Sequence, residues 1–474
     1  MNDTVTFFNS LSRSLEPFKP IEPGHVRMYT CGPTVHDFAH IGNFRTFIFE
    51  DLLRRTLKFH GYQVTHVMNL TDVDDKTIRK SRQAGLPLRQ YTARFKEAFF
   101  EDVDALRIER AEHYPAATDH IDDMVKLIEA LQSKDHTYRS HGSTYFSVAS
   151  YPEYGRLSGV DIQEDTDAQH SRVDHDEYEK DNARDFALWK AWSPEDGDAF
   201  WETPLGKGRP GWHIECSAMS RALLGDHFDI HTGGIDNLFP HHDNEIAQSC
   251  AATGADFVNH WLHSEHLLVE GKKMSKSLGN FLTLRDLMAR GHSPVVVRYA
   301  LLSAHYRTQM NLTEELLQAS AQAVERLREF ERRLRAHLLA DHPNPLPAEE
   351  DGLEEAKTQF KQALFADLNL PEALGHLFRL VRHVNGLLTR GTLPPQRTQA
   401  VLDWLKEVDT VLAVLEPEAK ASDPNEDKVK ALVLKREEAR QGRDWAQADT
   451  LRAQIEALGY IVKDTPQGPS WRRI

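Results

Sequence analysis

The chain is short of cysteine, with three in 474 residues: Cys31, Cys216 and Cys250. Three thiols cannot build a disulfide framework, which excludes a bridge-stapled secreted scaffold and points to a reducing, cytoplasmic setting. Any uninterrupted apolar run long enough to cross a bilayer is also missing, so no membrane partner is expected. The opening Met1-Asn-Asp-Thr-Val-Thr-Phe-Phe lacks a basic segment leading into an apolar one, and no signal peptide is expected of it. Positive charge is scarce too: 57 Lys and Arg stand against 72 Asp and Glu, a formal net charge of −15. An acidic chain binds nucleic acid less readily unless a local basic surface offsets the balance. Composition alone therefore argues against a nucleic-acid partner, and motifs must overturn it. What the chain does have is length and 40% hydrophobic residues, enough for a large core and about three domains.

Residues 28–43, Met-Tyr-Thr-Cys-Gly-Pro-Thr-Val-His-Asp-Phe-Ala-His-Ile-Gly-Asn, organise the rest. Val26 to Thr30 reads as a buried strand, Gly32-Pro33 as a tight turn, and a helix opens near Ile41 and runs to His60. Phe47, Leu53 and Leu57 fall on its inward face, Gly61 ends it, and Tyr62 to Leu70 supplies a second strand. Strands separated by helices of this length imply a parallel sheet, whose ligands bind beyond the carboxyl ends of its strands. Cys31 and Thr71 both lie just past such ends and are expected to face one crevice. Free N–H groups and the positive end of a helix dipole at one spot suit phosphate.

From about residue 115 to 205 the alternation breaks. His141 to Val148 and the segment around Tyr154 look like short strands, and Gln163 to Asn182 is densely charged, the mark of a solvated loop in an insertion. The rhythm resumes at Phe228 to Thr232, ending in Gly233-Gly234. Pro240 then suits the first position of a helix through Ala247, and Glu265 to Val269 reads as a further strand. Beyond residue 310 the chain turns helical. Thr313 is placed to cap a helix whose first turn holds Glu314 and Glu315. Leu317, Val324, Leu327, Phe330, Leu334 and Leu338 form its single apolar stripe. Breaks at His342 to Pro347 and Thr392 to Pro395 divide it from two or three more helices, a small antiparallel bundle. After Glu416 to Asp427 comes a last module of about two short helices and a strand pair reaching Trp471-Arg-Arg-Ile474, the least acidic part of the chain.

Three elements carry chemistry. The first is His40-Ile-Gly-Asn43, at the helix start. Alone, such a histidine is most often a cap. The second is Lys273-Met-Ser-Lys-Ser277, a Lys/Ser loop between Gly271 and Gly279 that follows a late strand. Two lysines and hydroxyls on such a loop can close over a triphosphate and neutralise a departing pyrophosphate. The third is a metal-competent set. His241 and Glu245 stand one helical turn apart, and Cys216 and Cys31 add two thiols. Two thiolates, an imidazole and a carboxylate favour zinc. His242 competes with His241 as the ligand, and Cys250 reads as a core residue.

Cys31-Gly-Pro-Thr34 through His40-Ile-Gly, Asn69-Leu-Thr-Asp-Val-Asp-Asp-Lys76, Asp185-Phe-Ala-Leu-Trp-Lys190, Gly211-Trp-His-Ile-Glu-Cys216, Phe239-Pro-His-His242, the Lys-Met-Ser-Lys-Ser loop, and Asp464-Thr-Pro-Gln-Gly468 with Trp471 occur in one order over nearly the whole chain. In this the chain resembles the bacterial cysteinyl-tRNA synthetases, a class I aminoacyl-tRNA synthetase family. The resemblance implies an α/β catalytic domain with a Rossmann-like parallel sheet and an insertion, then an α-helical bundle and a small C-terminal anticodon-binding module. The corresponding divisions are 1–115 and 206–265 for the two catalytic halves, 116–205 for the insertion, 266–312 for the stem-contact region with the lysine loop, 313–416 for the bundle and 425–474 for the last module. It implies zinc, one per chain, held by Cys31, Cys216, His241 and Glu245, and binding the substrate thiol as a thiolate.

Cysteine and serine are nearly isosteric, so a pocket of shape alone would separate them poorly, whereas a metal that prefers sulfur separates them well. The same resemblance implies that Gly32, Thr71, Trp212, His231 and Asp236 bind the amino acid. His40, Asn43, Lys273, Ser275 and Lys276 would bind ATP with Mg²⁺, and His40, Lys273 and Lys276 would act as the catalytic groups. Asn43 stands where the family usually has histidine. The implied partners are ATP, L-cysteine and tRNA(Cys), with the protein a monomer. Trp471 is a candidate to stack on an anticodon base, and basic residues such as Lys428, Arg436 and Arg452 to follow the backbone. A cysteine ligase acting on an amino sugar would share the catalytic motifs but not need residues 425–474. A zinc hydrolase would not need the lysine loop, and a non-catalytic RNA-binding relative would be expected to lose the metal set or the lysines.

Overall fold

The computed structural model describes residues 4–160, 184–274, 280–340, 349–415, 426–442, 444–465 and 468–473. The charged stretch Gln163–Asn182, the break at His342–Pro347, and Ser275 and Lys276 of the lysine loop lie outside the described residues. The chain divides into two compact units, Met1–Val414 and Leu415–Ile474.

The first unit is built on a four-stranded sheet of β1 (His25–Thr30), β2 (Gln63–Met68), β3 (Phe228–Gly234) and β4 (Val258–Ser264), in the order β4-β3-β1-β2. Every neighbour in it is parallel. Helix α1 (Ile41–His60) connects β1 to β2 and buries Phe44, Phe47, Leu53 and Leu57. It stops at Gly61, whose φ of 109° is the left-handed conformation that favours glycine at a helix end. The chain leaves β1 toward β2 on one side, and β3 returns on the other. The crevice between the carboxyl ends of β1 and β3 is thus a topological switch point, where ligands of such sheets bind. Cys31 sits at its floor, with its N–H donating to the Thr232 carbonyl at 3.2 Å.

The insertion forms a five-stranded antiparallel sheet ordered Thr137–Ser140, Ser143–Phe146, Phe186–Ala191, Gly206–Pro210, Trp201–Thr203. The Tyr154 segment, expected as a strand, is a succession of turns with Gly155 at φ 82° and Gly159 at φ 72°. The helix expected from Pro240 starts there: Phe239 is the non-helical residue before it, and helical backbone continues from Pro240 through Thr253. Phe239 is held extended (φ −137°, ψ 132°), as the residue before a proline prefers, and α3 of the regular helix set runs Asp243–Thr253, after α2 at Trp212–Leu224. Beyond β4, Leu267–Val269 pairs with Met310–Leu312 and Lys272–Lys273 in a separate small sheet.

The helical part comprises α4 (Pro294–Leu302) and a bundle of α5 (Glu314–Leu339), α6 (Leu353–Phe365), α7 (Leu370–Arg390) and α8 (Pro395–Leu412). Thr313 caps α5, accepting from the Leu316 N–H at 3.2 Å, and the apolar stripe from Leu317 to Leu334 is buried. One ionic knot ties bundle to sheet. The carboxylate of Asp51, on α1, is fully buried and accepts from Arg298 Nη2 at 2.6 Å, Arg55 Nε at 2.8 Å and the Glu109 N–H at 2.8 Å. Arg298 Nε donates onward to the Leu412 carbonyl at 2.6 Å and Arg55 Nη1 to that of Thr410 at 2.7 Å. The last carbonyls of α8, which have no partner inside their own helix, are satisfied by these guanidinium groups. The arginines hold Asp51 below the usual carboxylate range even though burial pushes the other way.

In the second unit, helices Glu426–Gln441 and Trp445–Ala457 pack with the antiparallel pair Tyr460–Thr465 and Gly468–Arg473 around Val429, Val433, Ile455, Tyr460 and Val462. Trp471 stands opposite Val462 in the ladder, and the stacking expected of its side chain lies outside the described residues. Arg436, expected among the residues that follow a nucleic-acid backbone, is buried instead, whereas Lys428 and Arg452 are exposed.

Candidate active site

His40 caps α1. Its Nδ1 accepts from the Asn43 N–H, Asn43 Oδ1 accepts from the His40 N–H, and both contacts are 3.1 Å. This reciprocal capping box accounts for Asn43, a role legible from its place three residues after the cap. With Nδ1 accepting, the neutral imidazole carries its proton on Nε2, a donor for a phosphate oxygen at the positive end of the α1 dipole. The flanks of the lysine loop grip the same spot. The Ile41 N–H donates to the Leu282 carbonyl at 2.8 Å, and His40 bridges Thr283. A Cβ at Gly42 would lie 2.6 Å from Met274 Cε, the movable tip of that side chain, so the start of the lysine loop packs closely over the opening of α1. Lys273 is exposed where the loop begins.

The four metal candidates are brought together. Ligand atoms of Cys31, Cys216, His241 and Glu245 lie within 4.8 Å of one another, and the last three residues are buried. Glu245 Oε1 completes no hydrogen bond among the described residues, although His241 Nε2 is 3.0 Å away. Two such atoms facing one point suit a cation. Electrostatics points the same way. The hydrogen bond between the two thiols pushes Cys31 up and Cys216 down to about 6. His241 is raised to about 10 against the opposing effect of burial, because Glu245 and Cys216 favour its charge. Glu245 is held down to about 2, again against burial, by His231 and His241.

A second set, Cys31, His231, His242 and Glu245, meets the same distance criterion. His242 is occupied at both ring nitrogens, with Nε2 3.4 Å from Cys31 Sγ and Nδ1 2.8 Å from His263 Nε2, and His263 Nδ1 is in turn 2.8 Å from Ser10 Oγ. His241 keeps Nε2 turned to the cluster while its Nδ1 meets His213 Nδ1 at 2.8 Å. An imidazole oriented through its far nitrogen is the usual arrangement of a metal ligand, and the first set also brings both thiols. The inner histidines His213, His242 and His263 escaped the sequence reading, apart from the competing claim of His242. The His-His doublet signalled only His242, His213 lay within the Gly211–Cys216 motif, and His263 had no signal.

The residues expected around the amino acid surround the cluster unevenly. Trp212 opens α2, is 41% exposed and stacks on His241 with ring centroids 4.4 Å apart. Thr71 is buried, and its backbone pairs with Pro33 and Val35 just past Cys31. The Gly32 N–H donates to Asn69 Oδ1 at 2.9 Å. Asp236 is exposed on the short turn Ile235–Asn237 after β3. His231 is fully buried, with Nε2 at 3.0 Å from Glu245 Oε2, so it stands behind the carboxylate.

Residues 17–322 match the class I (C) tRNA synthetase catalytic domain, 359–416 a DALR domain, and 426–472 the cysteinyl-tRNA ligase anticodon binding domain. The cysteine–tRNA ligase of Brachyspira hyodysenteriae is 48% identical over 474 residues, covering 99% of both chains. The chain belongs to the cysteine–tRNA ligase family. Another cysteine–tRNA ligase, from Chlamydia pneumoniae, is 50% identical over 98% of this chain and 97% of its own. A solved structure of Mycobacterium tuberculosis methionyl-tRNA synthetase in complex with methionyl-adenylate shares the fold of the family, with a TM-score of 0.60 at 15% identity over 82% of this chain and 90% of its own. Cys31, Cys216, His241 and Glu245 all fall inside the matched class I catalytic domain.

Proposed function

We propose that this chain activates L-cysteine with ATP and transfers the cysteinyl group to tRNA(Cys). In the first step the cysteine carboxylate attacks the α-phosphorus of ATP, and pyrophosphate leaves cysteinyl-adenylate behind. In the second, the terminal ribose hydroxyl of the tRNA takes the cysteinyl group and AMP leaves. No protein nucleophile is required, so the chain contributes position and charge. His40 Nε2 and the first N–H groups of α1 hold phosphate oxygens, Asn43 keeps the imidazole in that tautomer, and Lys273, with Ser275 and Lys276, offsets charge on the departing pyrophosphate, ATP carrying Mg²⁺. Gly32, Thr71, Trp212, His231 and Asp236 frame the amino acid, Asp236 being the partner for its ammonium group.

Zinc fits the donor set Cys31, Cys216, His241 and Glu245, and when bound it supplies a soft Lewis acid that prefers a thiolate to an alcohol. Trp212, stacked on His241, limits how that imidazole can turn. We divide the chain at the boundaries read from sequence, with 313–416 and 425–474 engaging tRNA, and take it to act as a monomer in the cytoplasm. Among the described residues no helix is long and apolar enough to cross a membrane.

The observation that carries this reading is the two-thiol, imidazole and carboxylate cluster at the switch point of a parallel sheet, beside a capped His40. The test is pyrophosphate exchange into ATP with cysteine and with serine, then charging of tRNA(Cys), each repeated after chelation and after zinc is restored. Exchange with cysteine that is lost on chelation, restored by zinc and weak with serine supports the assignment. Exchange without charging would favour the amino-sugar ligase, and exchange indifferent to chelation would remove the metal from the reading.

A further inference from the structure

Glu215 precedes Cys216 on α2, is fully buried, and belongs to none of the groups considered so far. One of its oxygens, Oε2, accepts from Thr71 Oγ1 at 3.0 Å, and the other accepts nothing among the described residues. Thr71 Oγ1 in turn accepts from Asn69 Nδ2 at 3.2 Å, and Asn69 Oδ1 accepts from the Gly32 N–H at 2.9 Å. Gly32 follows Cys31 and Glu215 precedes Cys216, so one unbroken hydrogen-bonded chain, Gly32–Asn69–Thr71–Glu215, joins the neighbours of the two thiols across the pocket.

Chemistry fixes the direction of each link. Gly32 brings only an N–H, so Asn69 Oδ1 accepts there, and the Thr71 hydroxyl gives its proton to Glu215 Oε2. Asn69 must then present its amide N–H to Thr71 and its carbonyl oxygen to Gly32. Every donor in the run is used once, and the hydroxyl keeps one lone pair. All three side chains are buried, where an unmade hydrogen bond costs most. β1 with its following loop and α2 lie far apart in sequence and pack against each other here, and their relative position sets the distance between Cys31 and Cys216.

We infer that Glu215 is a positioning residue for the metal site: acting through Thr71 and Asn69, it braces the spacing of Cys31 and Cys216 and so tunes how tightly and in what geometry a sulfur-ligated divalent metal is held. This rests on the metal reading above. It predicts that the brace matters through the acceptor Glu215 offers, because the amide oxygen of glutamine can take the same bond.

The test loads the full-length protein with Co²⁺, whose visible absorption reports ligand geometry, and separately measures the rate at which bound Zn²⁺ passes to a chelator. Glu215→Leu and Thr71→Val are each expected to alter the Co²⁺ spectrum and speed zinc release about 10- to 100-fold. Glu215→Gln is expected to stay within about threefold of the parent, and the double variant Glu215→Leu/Thr71→Val to be no worse than the poorer single. In pyrophosphate exchange the KM for cysteine should rise in the leucine variant while the KM for ATP stays put. Parent-like spectra and release rates in the leucine variant, or single effects that multiply in the double, overturn the brace. Should Glu215→Leu fail to fold, Thr71→Val alone carries the spectral and release measurements. A parent protein that binds neither metal would instead refute the metal site itself.

Discussion

Replacing Gly32 by alanine tests the crevice at its narrowest point. An added Cβ would lie 1.7 Å from the Asn69 carbonyl oxygen and 2.9 Å from both Asn69 C and Met68 Cγ. Two of these three atoms are backbone, so the loops after β1 and β2 would have to part by more than an ångström. They are clamped together, because the Thr71 N–H donates to the Pro33 carbonyl at 3.1 Å and the Val35 N–H to that of Thr71 at 3.0 Å. The displacement would therefore fall on Cys31 and Thr71. Overpacking of this kind costs about 1–3 kcal/mol of stability, while an ångström of misplacement at a reacting centre costs about 10²-fold in rate. The expected result is a kcat/KM for cysteine in pyrophosphate exchange lower by about 10²-fold, with the protein still folded at assay temperature. Gly24→Ala is the matched control. Its φ of 83° strains a side chain, but nothing lies within 4 Å of the added atom. It should lose about 1 kcal/mol of stability and keep its exchange activity. Gly32→Ala that exchanges within threefold of the parent, or Gly24→Ala that loses as much, would refute this account of the crevice.

Removing the fully buried Arg298 guanidinium by Arg298→Met would leave Asp51 with half its compensation and the Leu412 carbonyl bare, so chemical denaturation should report a loss of about 3–5 kcal/mol. His66, buried with Nε2 2.9 Å from Thr30 Oγ1, is pushed down to about 3, first by burial and then by the charge of Arg54. Its folded value lies below its unfolded value, so the unfolded chain takes up a proton first as pH falls. Stability from this group is complete above pH ~6.5 and declines toward pH ~3, by about 2 kcal/mol between pH 6.5 and 5. His66→Gln should flatten the pH dependence of the urea midpoint by that amount, and an unchanged slope would contradict it. Trp212→Ala removes the ring stacked on His241, a pair worth about 0.5–1.5 kcal/mol. The KM for cysteine should rise about 2- to 12-fold with the KM for ATP unaffected, as steady-state exchange kinetics would read.

Much of the α/β unit was legible because local rules and the fold agree there. β1, the run of α1 to Gly61, β3, the Thr313 cap and the α5 stripe follow from periodicity, capping and glycine alone. β4 was not, because Asn259, His260 and His263 give Val258–Ser264 the look of a loop. Those side chains are buried or half-buried, and residues far away in sequence meet two of them, Ser10 for His263 and His227 for Asn259, while the ring nitrogens of His260 make no hydrogen bond among the described residues. The Pro240 helix start was legible for a local reason, since proline suits the first helical position and holds Phe239 before it extended. At the site, the His241–Glu245 spacing announced itself through one helical turn. The Glu215–Thr71 link and the histidines behind the cluster have no such signature, being contacts between loops and helices that only the tertiary fold brings together.

Helix α1 carries two attachments on one stiff rod: His40 at its mouth and, eleven residues on, Asp51 in the knot with Arg298 and the end of α8. At 1.5 Å per residue the two are roughly 16 Å apart along the axis. A helix bends far less readily than a loop, so a tug or twist on the final turn of α8 is carried along α1 toward the capping imidazole of His40. The terminal carbonyls of one helix and the capping histidine of another are thus fastened to the same rod, one near its middle and one at its mouth.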